Sequence, residues 1–429
     1  MNNHPSSAPI LLSICIPTYN RQRQLAHALE SLRWTLDVGF PVEITVSNNA
    51  STDETERVAL EKGALFPHFR YARQHRTVEA DINIIAAMRL ASGKYCIWMA
   101  DDDYLIPANL LAEIEYLNQH EDIIVSHASP QMWNDVTQTE CGLVYPLEEA
   151  VEFSRIQSAE LFNFIFAKRV FPEWGLYRTE QYMKVLFEPH ALYFPFVWTF
   201  RALAYGRVRF HTTPNYRVVL HNALKHQDLN QENQGLVQVK TFMDKYRGGM
   251  EFAASMALCA AGLAEFNPDN RSVVLDMIND FVVGRISVAA RIAQHHGNFI
   301  AASEFLRRQL LWAKTEADRA MIRQLEEEVV AGAAVQAVGE LFGITAGAKR
   351  LVLCEMADPT GIQFRFHQLA PNVPTAICSV SVALCETDRQ DCLYLTEQEA
   401  VRQALRASGV PIGKIVLYSE AVAMFRITA

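Results

Sequence analysis

Three consecutive carboxylates, Asp101, Asp102 and Asp103, follow an apolar segment that runs from Tyr95 to Met99. The segment predicts a buried strand, so the carboxylates are expected where that strand ends. Adjacent like charges repel one another unless a cation, a bound phosphate or solvent compensates them. Hard divalent ions such as Mg²⁺ and Mn²⁺ bind carboxylate oxygens, often with substrate phosphates completing the coordination. The cluster therefore predicts a metal-assisted site for a phosphate-bearing substrate, and the alternative interpretation is a solvated acidic turn.

The composition limits the partners that this chain can bind. The chain has 429 residues, which predicts two or three domains, and half of its residues are apolar. Its formal net charge is −9 at pH 7, so the sequence has no electrostatic footprint for nucleic acid. A phosphate-bearing substrate would therefore need a local basic site or a metal ion.

The cysteines and the N-terminal residues indicate a compartment. Eight cysteines are scattered as single residues without a CxxC pair or a zinc-ligand spacing, which favours a reducing compartment. Residues 1–9 lack the basic and then apolar order of a signal peptide. No window has the ~18 to 20 uninterrupted apolar residues of a membrane span. We therefore expect a cytoplasmic protein.

The elements that position these carboxylates are predicted to be strands and helices in alternation. Strands are predicted over residues 10–17, 41–47, 69–73, 95–99 and 122–128, helices over residues 21–34, 53–62 and 81–90, and a loop over residues 129–153. This alternation predicts a mostly parallel sheet with helices on both faces. The turns that follow the strands lie where open α/β sheets bind ligands. Asp53 and Glu56 are placed for a capping box at the second helix.

Three ordered segments carry a family resemblance. They are CIPTYNR at residues 15–21, VSNNASTDET at residues 46–55 and ASGKYCIWMADDDYL at residues 91–105. Together they resemble the family 2 glycosyltransferases of the GT-A fold, and most closely the bacterial O-antigen and polysaccharide transferases. The resemblance covers about residues 10–225. It implies an α/β fold of the nucleotide-diphospho-sugar transferase type. The later residues predict a helical region and a small α/β module.

The resemblance implies a nucleotide site in the first two turns. Pro17, Thr18, Tyr19 and Arg21 match the turn that lines the nucleotide. Asn48 stands where the family usually has an aspartate that hydrogen-bonds the base or the ribose. An amide donates and accepts, whereas a carboxylate only accepts. The departure leaves uridine, cytidine and deoxythymidine donors open.

The resemblance also implies a Mg²⁺ or Mn²⁺ ion. Asp101 and Asp103 match the DxD pair that holds the metal, and Asp101 and Asp102 are placed to contact the ribose or the sugar. The triplet leaves the register open by one residue. In the segment NYRVVLHNALKH, His221 is the candidate for a third metal ligand or a phosphate contact. Arg178 matches a common basic position of the family.

The catalytic base is not evident from the sequence. The family usually has a Glu-Asp pair at the start of a helix, and residues 195–197 (Pro-Phe-Val) stand in that place. Glu188, His190 and Glu173 are the nearest candidates, in that order of preference. A base must reach the acceptor hydroxyl by a hydrogen bond. The alternative is an enzyme that retains the anomeric configuration and needs no base of this kind.

Three domains are predicted along the chain. A glycosyltransferase domain spans residues 1–226, a helical region spans residues 227–346, and a small α/β module spans residues 347–429. Helices are predicted over residues 236–246, 250–266, 271–295, 299–338 and 397–407, with Thr396 as an N-cap, and strands over residues 350–355, 375–383, 392–395 and 414–418. The last module is either an accessory module or the start of a further domain. The sequence does not predict an oligomeric state.

The expected function is metal-dependent transfer of a sugar from a nucleotide-diphosphate donor. The acceptor is expected to be a saccharide or a lipid-linked saccharide in cell-surface polysaccharide synthesis, which allows peripheral association with the inner face of the membrane. The alternative function is a non-catalytic nucleotide-sugar-binding or scaffold module, because the usual base pair is missing. A nucleotidyltransferase is disfavoured, since no Gly-rich loop with Arg and Lys follows the first strand.

Overall fold

The computed structural model describes residues 8–168, 170–186, 194–221, 271–295, 297–344, 348–369, 373–385 and 389–426. The described residues divide into two compact units, with the boundary between Phe281 and Val282. The boundaries that the sequence predicts near residues 226 and 346 fall outside the described residues and stay predictions.

The first unit contains the alternating elements that the sequence predicts. Its strands are β1 (Leu12–Thr18), β2 (Val42–Asn48), β3 (Phe69–Arg73), β4 (Tyr95–Trp98), β5 (Tyr104–Leu105), β6 (Ile123–Ala128), β7 (Gln131–Asn134), β8 (Thr139–Leu143), β9 (Val151–Phe153), β10 (Gly175–Arg178), β11 (Arg207–His211) and β12 (Tyr216–His221). Its helices are α1 (Gln22–Ser31), α2 (Thr55–Gly63), α3 (Ala80–Met88), α4 (Pro107–Gln119), α5 (Ser158–Ala167), α6 (Thr179–Val185) and α7 (Phe194–Ala202).

Eight of these strands form one sheet, in the order β3-β2-β1-β4-β10-β6-β11-β9. Strand β10 runs antiparallel to both of its neighbours, and β9 runs antiparallel to β11. The other pairs are parallel. The prediction of a mostly parallel α/β sheet is therefore confirmed. A second sheet has the order β5-β12-β7-β8.

Strand β1 shows why the predicted site lies at one edge of the sheet. Its side chains from Leu12 to Ile16 are fully buried, as expected for a strand that is covered on both faces. Thr18 pairs with Asn48 at the ends of β1 and β2, and Cys15 pairs with Trp98 at the end of β4. The carboxyl ends of the three strands that carry the sequence motifs therefore meet at the same edge.

Two local predictions in this unit were wrong. Residues 129–153 contain β7, β8 and β9, although the sequence predicts a loop there. The capping box does not form, because the N-cap of α2 is Glu54, while the Glu56 carboxylate pairs with Arg73. Asp53 still serves the start of α2, since its Oδ1 accepts the Thr55 N–H at 3.0 Å.

Arg178, at a position where the family resemblance places a basic residue, is a structural side chain. It is buried at the end of β10. Its Nε donates to the Ile123 carbonyl at 2.7 Å, and its Nη2 donates to the His120 carbonyl at 2.9 Å and to the Leu117 carbonyl. Its Nη1 donates to the Tyr95 hydroxyl at 3.2 Å. The guanidinium thus joins the end of α4 and the start of β6 to β4.

Arg178→Met is expected to destabilise the protein by about 3 kcal/mol or more, because each buried carbonyl that loses its donor costs about 1–3 kcal/mol. Urea unfolding of the full chain measures the change. Arg33→Met is the matched control, since Arg33 is exposed and its ion pair with Glu30 is worth about 0–1 kcal/mol. Equal unfolding midpoints for the two variants would contradict the structural role.

The second unit consists of helices followed by a small parallel sheet. Helix α8 (Arg271–His295) crosses the boundary between the two units. The other elements of the second unit are α9 (Phe299–Trp312), α10 (Glu316–Ile344), β13 (Arg350–Cys354), α11 (Pro359–Leu369), β14 (Thr375–Cys378), α12 (Val380–Cys385), β15 (Cys392–Thr396), α13 (Glu399–Ala407), β16 (Ile415–Leu417) and α14 (Tyr418–Phe425). The strand order is β14-β13-β15-β16, and all pairs are parallel. The predicted helical region and small α/β module are therefore present.

The boundaries in this unit differ from prediction in three places. The helix predicted over residues 299–338 is two helices, because the Asp318 carboxylate accepts the N–H groups of Lys314 and Thr315 and starts α10 there. The strand predicted over residues 375–383 ends at Cys378, where a short helix follows. Thr396 is the last residue of β15 rather than an N-cap. The helices predicted over residues 236–246 and 250–266 lie outside the described residues.

In the described part of the chain, no helix has both the length and the apolar character that a membrane crossing requires.

Candidate active site

Asp101 joins the end of β4 to the turn after β1. Its Oδ2 accepts the Thr18 hydroxyl at 2.6 Å, and its Oδ1 accepts Arg21 Nη1 at 2.7 Å. These contacts bring together residues that are 83 and 80 positions apart in the sequence. The structure therefore brings the first and third sequence motifs into contact, as the predicted nucleotide site requires.

Asp103 faces a different element from Asp101. Its Oδ1 accepts the Val219 N–H at 2.8 Å, and its Oδ2 accepts the Tyr216 hydroxyl at 3.0 Å. The same hydroxyl accepts the Ala100 N–H at 2.9 Å. Asp103 therefore fixes strand β12, which ends at His221, to the carboxylate cluster.

Asp102 lies between these two anchored carboxylates. Its Oδ2 is 3.1 Å from Arg21 Nη1. The Asp102 side chain is 14% exposed, whereas the Asp101 side chain is 4% exposed. Asp102 is therefore the more accessible of the two carboxylates that contact Arg21.

Burial and mutual repulsion dominate the electrostatics of the cluster. Burial raises the pKa of Asp101, and the charge of Asp102 raises it further, while Arg21 acts in the opposite direction. Burial also raises the pKa of Asp103 well above its usual range, and the Val219 N–H and the Tyr216 hydroxyl lower it in part. A cluster of this kind gains stability from additional positive charge.

The turn after β2 closes over the turn after β1. The Asn20 Oδ1 accepts the Thr52 N–H at 2.7 Å, and the Ser51 hydroxyl accepts the Asn20 N–H at 2.9 Å. Asn20 has a φ of 49°, a left-handed conformation in which asparagine is more frequent than most residues. Our sequence reasoning missed this role of Asn20, although its place directly after Tyr19 at the strand end was a usable signal. Pro17 and Tyr19 are half-buried beside it.

Asn83 is a second residue that the sequence did not single out. Its Oδ1 accepts the Ser47 hydroxyl at 2.7 Å, and its Nδ2 donates to the Ser47 carbonyl at 3.1 Å and the Thr18 carbonyl at 3.4 Å. It therefore holds the ends of β1 and β2 together from helix α3. A polar residue inside an otherwise apolar helical segment was the available signal.

The Asn48 amide is fully buried and already engaged. Its Oδ1 accepts the Ser51 N–H at 2.9 Å, and its Nδ2 donates to the Tyr71 hydroxyl at 2.9 Å. Because the Tyr71 oxygen accepts this bond, the hydroxyl hydrogen of Tyr71 is directed elsewhere. An effect of Asn48 on the choice of base is therefore expected to act through Tyr71.

Asn48→Asp is expected to change the ranking of nucleoside diphosphates, moving it toward UDP if the native base is not uracil. An aspartate accepts only, so Tyr71 would have to turn its hydroxyl hydrogen toward residue 48. Calorimetric titration with UDP, CDP, GDP and dTDP measures the ranking. In a Tyr71→Phe background the same substitution should have a smaller effect. An unchanged ranking in the single variant counts against this role.

Among the candidate bases, Glu173 is the one that the structure describes. It lies in the segment before β10, and its carbonyl accepts the Trp98 Nε1 at 3.2 Å. Its charge contributes to the raised pKa of Asp103. The neighbouring Trp174 packs on the Tyr216 ring at a centroid distance of 5.6 Å. Glu188 and His190 lie outside the described residues.

The helix at the usual position of the base pair carries no carboxylate on its first turn. Phe196 and Val197 are buried in α7, and Thr199 donates to the Pro195 carbonyl at 2.8 Å. His221 ends β12, where it pairs with Asn134, and its side chain lies outside the described residues. The described residues contain no group of three His, Cys, Asp or Glu side chains placed to hold a metal.

The N-terminal part of the chain matches a known family. Residues 13–165 match the family model described as Glycosyl transferase family 2. The abequosyltransferase RfbV of Salmonella typhimurium is 34% identical over 137 residues, which are 32% of this chain and 38% of that protein. The chain thus spans less than half the length of this curated relative.

Solved structures with a similar chain path include two glycosyltransferases. One is S. aureus TarS 1-349 in complex with UDP-GlcNAc, which is 16% identical, covers 75% of this chain and 88% of that chain, and has a TM-score of 0.48. The other is the mannosyltransferase PcManGT from Pyrobaculum calidifontis in complex with GDP-Man and Mn²⁺, which is 12% identical, covers 80% and 92% of the two chains, and has a TM-score of 0.41.

Proposed function

We propose, from the premise that residues 13–165 are a domain of glycosyl transferase family 2, that this chain transfers a sugar from a nucleotide-diphosphate donor. The acceptor is a saccharide or a lipid-linked saccharide in cell-surface polysaccharide synthesis. Similarity to RfbV, which is named for the transfer of abequose, supports this class of reaction. Peripheral association with the membrane that holds a lipid-linked acceptor is part of the same proposal.

The observation that carries this proposal is the contact between the ends of β1, β2 and β4. Thr18 and Arg21 bind Asp101, while Asn20 binds the turn after β2. A parallel sheet presents such turns outside its carboxyl edge, where α/β proteins bind nucleotides. Carboxylates at this edge suit a sugar donor whose negatively charged phosphates also bind a cation.

The carboxylate oxygens of the cluster are suitable ligands for Mg²⁺ or Mn²⁺. The oxygens are hard ligands, and Arg21 is one positive charge beside two carboxylates. The resemblance assigns the metal to Asp101 and Asp103, with His221 as a third ligand. Both oxygens of Asp103 accept bonds from β12, whereas Asp101 Oδ1 and Asp102 Oδ2 contact the partly exposed Arg21 side chain, so we propose that Asp102 together with Asp101 holds the ion. When bound, the ion neutralises charge on the departing diphosphate.

Glu173 is proposed as the general base. The acceptor hydroxyl gives its proton to the Glu173 carboxylate while its oxygen forms the new bond to the anomeric carbon. The bond between that carbon and the phosphate oxygen breaks, and the nucleoside diphosphate leaves with the electron pair. The contribution of the Glu173 charge to the raised pKa of Asp103 supports this proposal. Glu188 and His190 stay as alternative predictions.

The second candidate function is a non-catalytic nucleotide-sugar-binding or scaffold module. It is favoured by the start of α7, where buried Phe196 and Val197 stand in place of the usual acidic pair. Such a module would bind a nucleotide sugar and leave it intact.

Donor turnover distinguishes the two functions. The full chain is incubated with UDP-, CDP-, GDP- and dTDP-sugars in Mn²⁺, with and without a saccharide acceptor mixture, and release of the nucleoside diphosphate is measured. We expect release from at least one donor. Binding of a donor without any release would support the non-catalytic module, and neither binding nor release would overturn both.

A further inference from the structure

Arg21 bridges two carboxylates of the cluster with one nitrogen. Its Nη1 is 2.7 Å from Asp101 Oδ1 and 3.1 Å from Asp102 Oδ2. The backbone of Arg21 is held independently, because its N–H donates to the Thr55 hydroxyl at 3.2 Å. The guanidinium can therefore leave the carboxylates by side-chain rotation while the turn stays in place.

The side chains of Arg21, Asp101 and Asp102 differ in their exposure to solvent. The Arg21 side chain is 34% exposed, whereas the side chains of Asp101 and Asp102 are 4% and 14% exposed. The Arg21 side chain is thus more accessible to solvent than either carboxylate.

A guanidinium and a divalent cation compete for these oxygens. Charges of the same sign within about 4 Å of each other repel by about 1 kcal/mol in water and more near a protein surface. Arg21 Nη1 already lies within that distance of a carboxylate oxygen of Asp101 and of a carboxylate oxygen of Asp102. A diphosphate, in contrast, attracts a guanidinium and binds it in a planar, two-point geometry.

We propose that Arg21 is a positioning residue that couples the binding of the metal to the binding of the nucleotide. Without nucleotide, Arg21 neutralises Asp101 and Asp102 and lowers their affinity for a divalent cation. The donor diphosphate draws the guanidinium away, so that cation and nucleotide bind together. This inference rests on the proposed nucleotide-sugar site and adds the order in which that site is filled.

Mn²⁺ titration of the nucleotide-free full chain, followed by electron paramagnetic resonance, tests the coupling. Arg21→Gln is expected to tighten Mn²⁺ binding by about 5- to 150-fold, the usual span of a coupling between two sites. A merely structural role would not raise metal affinity. Arg57→Gln is the matched control, because it removes the same charge from an exposed pair with Glu54 and Glu61 and should leave the affinity unchanged.

Two further variants assign the effect to the cluster. Adding Asp102→Asn to Arg21→Gln should abolish the gain in affinity. Arg21→Lys keeps a positive charge and should stay closer to wild type, which also separates loss of charge from loss of folding. The coupling is overturned if folded Arg21→Gln binds Mn²⁺ no more tightly than wild type does, whether or not Arg21→Lys behaves in the same way.

Nucleotide titrations separate this inference from the proposed function. By reciprocity, the ratio of nucleotide affinity in Mn²⁺ to that in EDTA should be smaller for Arg21→Gln than for wild type, measured with UDP, CDP, GDP and dTDP. If wild type binds none of the four nucleotides, the proposed function fails. The Mn²⁺ titration alone still decides whether Arg21 competes with the cation.

Discussion

Asp102→Asn is expected to lower kcat by at least about 10²- to 10³-fold, in line with the loss of one preorganised electrostatic group in an active site. Asp102 lies between two carboxylates that accept hydrogen bonds from the protein, and it is the accessible member of the pair bound by Arg21. Its carboxylate is therefore the one that we expect to hold the divalent ion. The measurement combines steady-state turnover with Mn²⁺ affinity in the presence of nucleotide.

Asp103→Asn is the matched control for Asp102→Asn. An asparagine oxygen still accepts the Val219 N–H, and its amide N–H can donate to the Tyr216 hydroxyl oxygen, which reverses the direction of that bond. The expected loss in kcat is less than about tenfold, since one altered hydrogen bond is worth about 1 kcal/mol. If Asp103→Asn abolishes Mn²⁺ binding and Asp102→Asn does not, the ion belongs to Asp103, as the DxD resemblance implies.

Glu173→Gln is expected to lower the rate of transfer by about 10²- to 10⁴-fold, while nucleoside diphosphate affinity stays nearly unchanged. A glutamine keeps the size of the side chain and loses the ability to accept the acceptor proton. Glu180→Gln is the control, because Glu180 is exposed and pairs with Lys184 on helix α6. Transfer is measured with the best donor, and the anomeric configuration of the product is determined by NMR.

The alternative bases are tested in the same assay. If Glu173→Gln keeps near-normal transfer, Glu188→Gln and His190→Ala become the deciding variants. If all three keep transfer and the product retains the configuration of the donor, the base proposal fails. The leaving diphosphate itself would then take the proton, with departure and attack on the same face of the sugar.

The sheet edge was predictable because its signals are local. An apolar run followed by polar residues marks the ends of β1, β2 and β4, and burial of β1 on both faces explains why that run is uninterrupted. The contact between Thr18 and Asp101 then follows from parallel pairing, which puts the ends of neighbouring strands at one edge.

The partners of Asp103 and Arg178 were not predictable from the sequence. The bond from Val219 to Asp103 spans 116 positions, and no local pattern marks a backbone N–H as its donor. Arg178 matched a basic position of the family, but its burial against three carbonyls became visible only when α4 and β6 were placed. The capping box failed for a related reason, since Glu56 meets Arg73 from the neighbouring strand.

The binding of nucleoside diphosphates with and without metal tests the central claim most directly. Calorimetric titration of the full chain with UDP, CDP, GDP and dTDP is performed once in Mn²⁺ and once in EDTA. We predict that at least one nucleotide binds in Mn²⁺ and that its affinity falls by about tenfold or more in EDTA, a difference of about 1.4 kcal/mol. Equal affinity in the two conditions, or no binding of any of the four, would contradict a metal-assisted nucleotide-sugar site at Asp101 and Asp102.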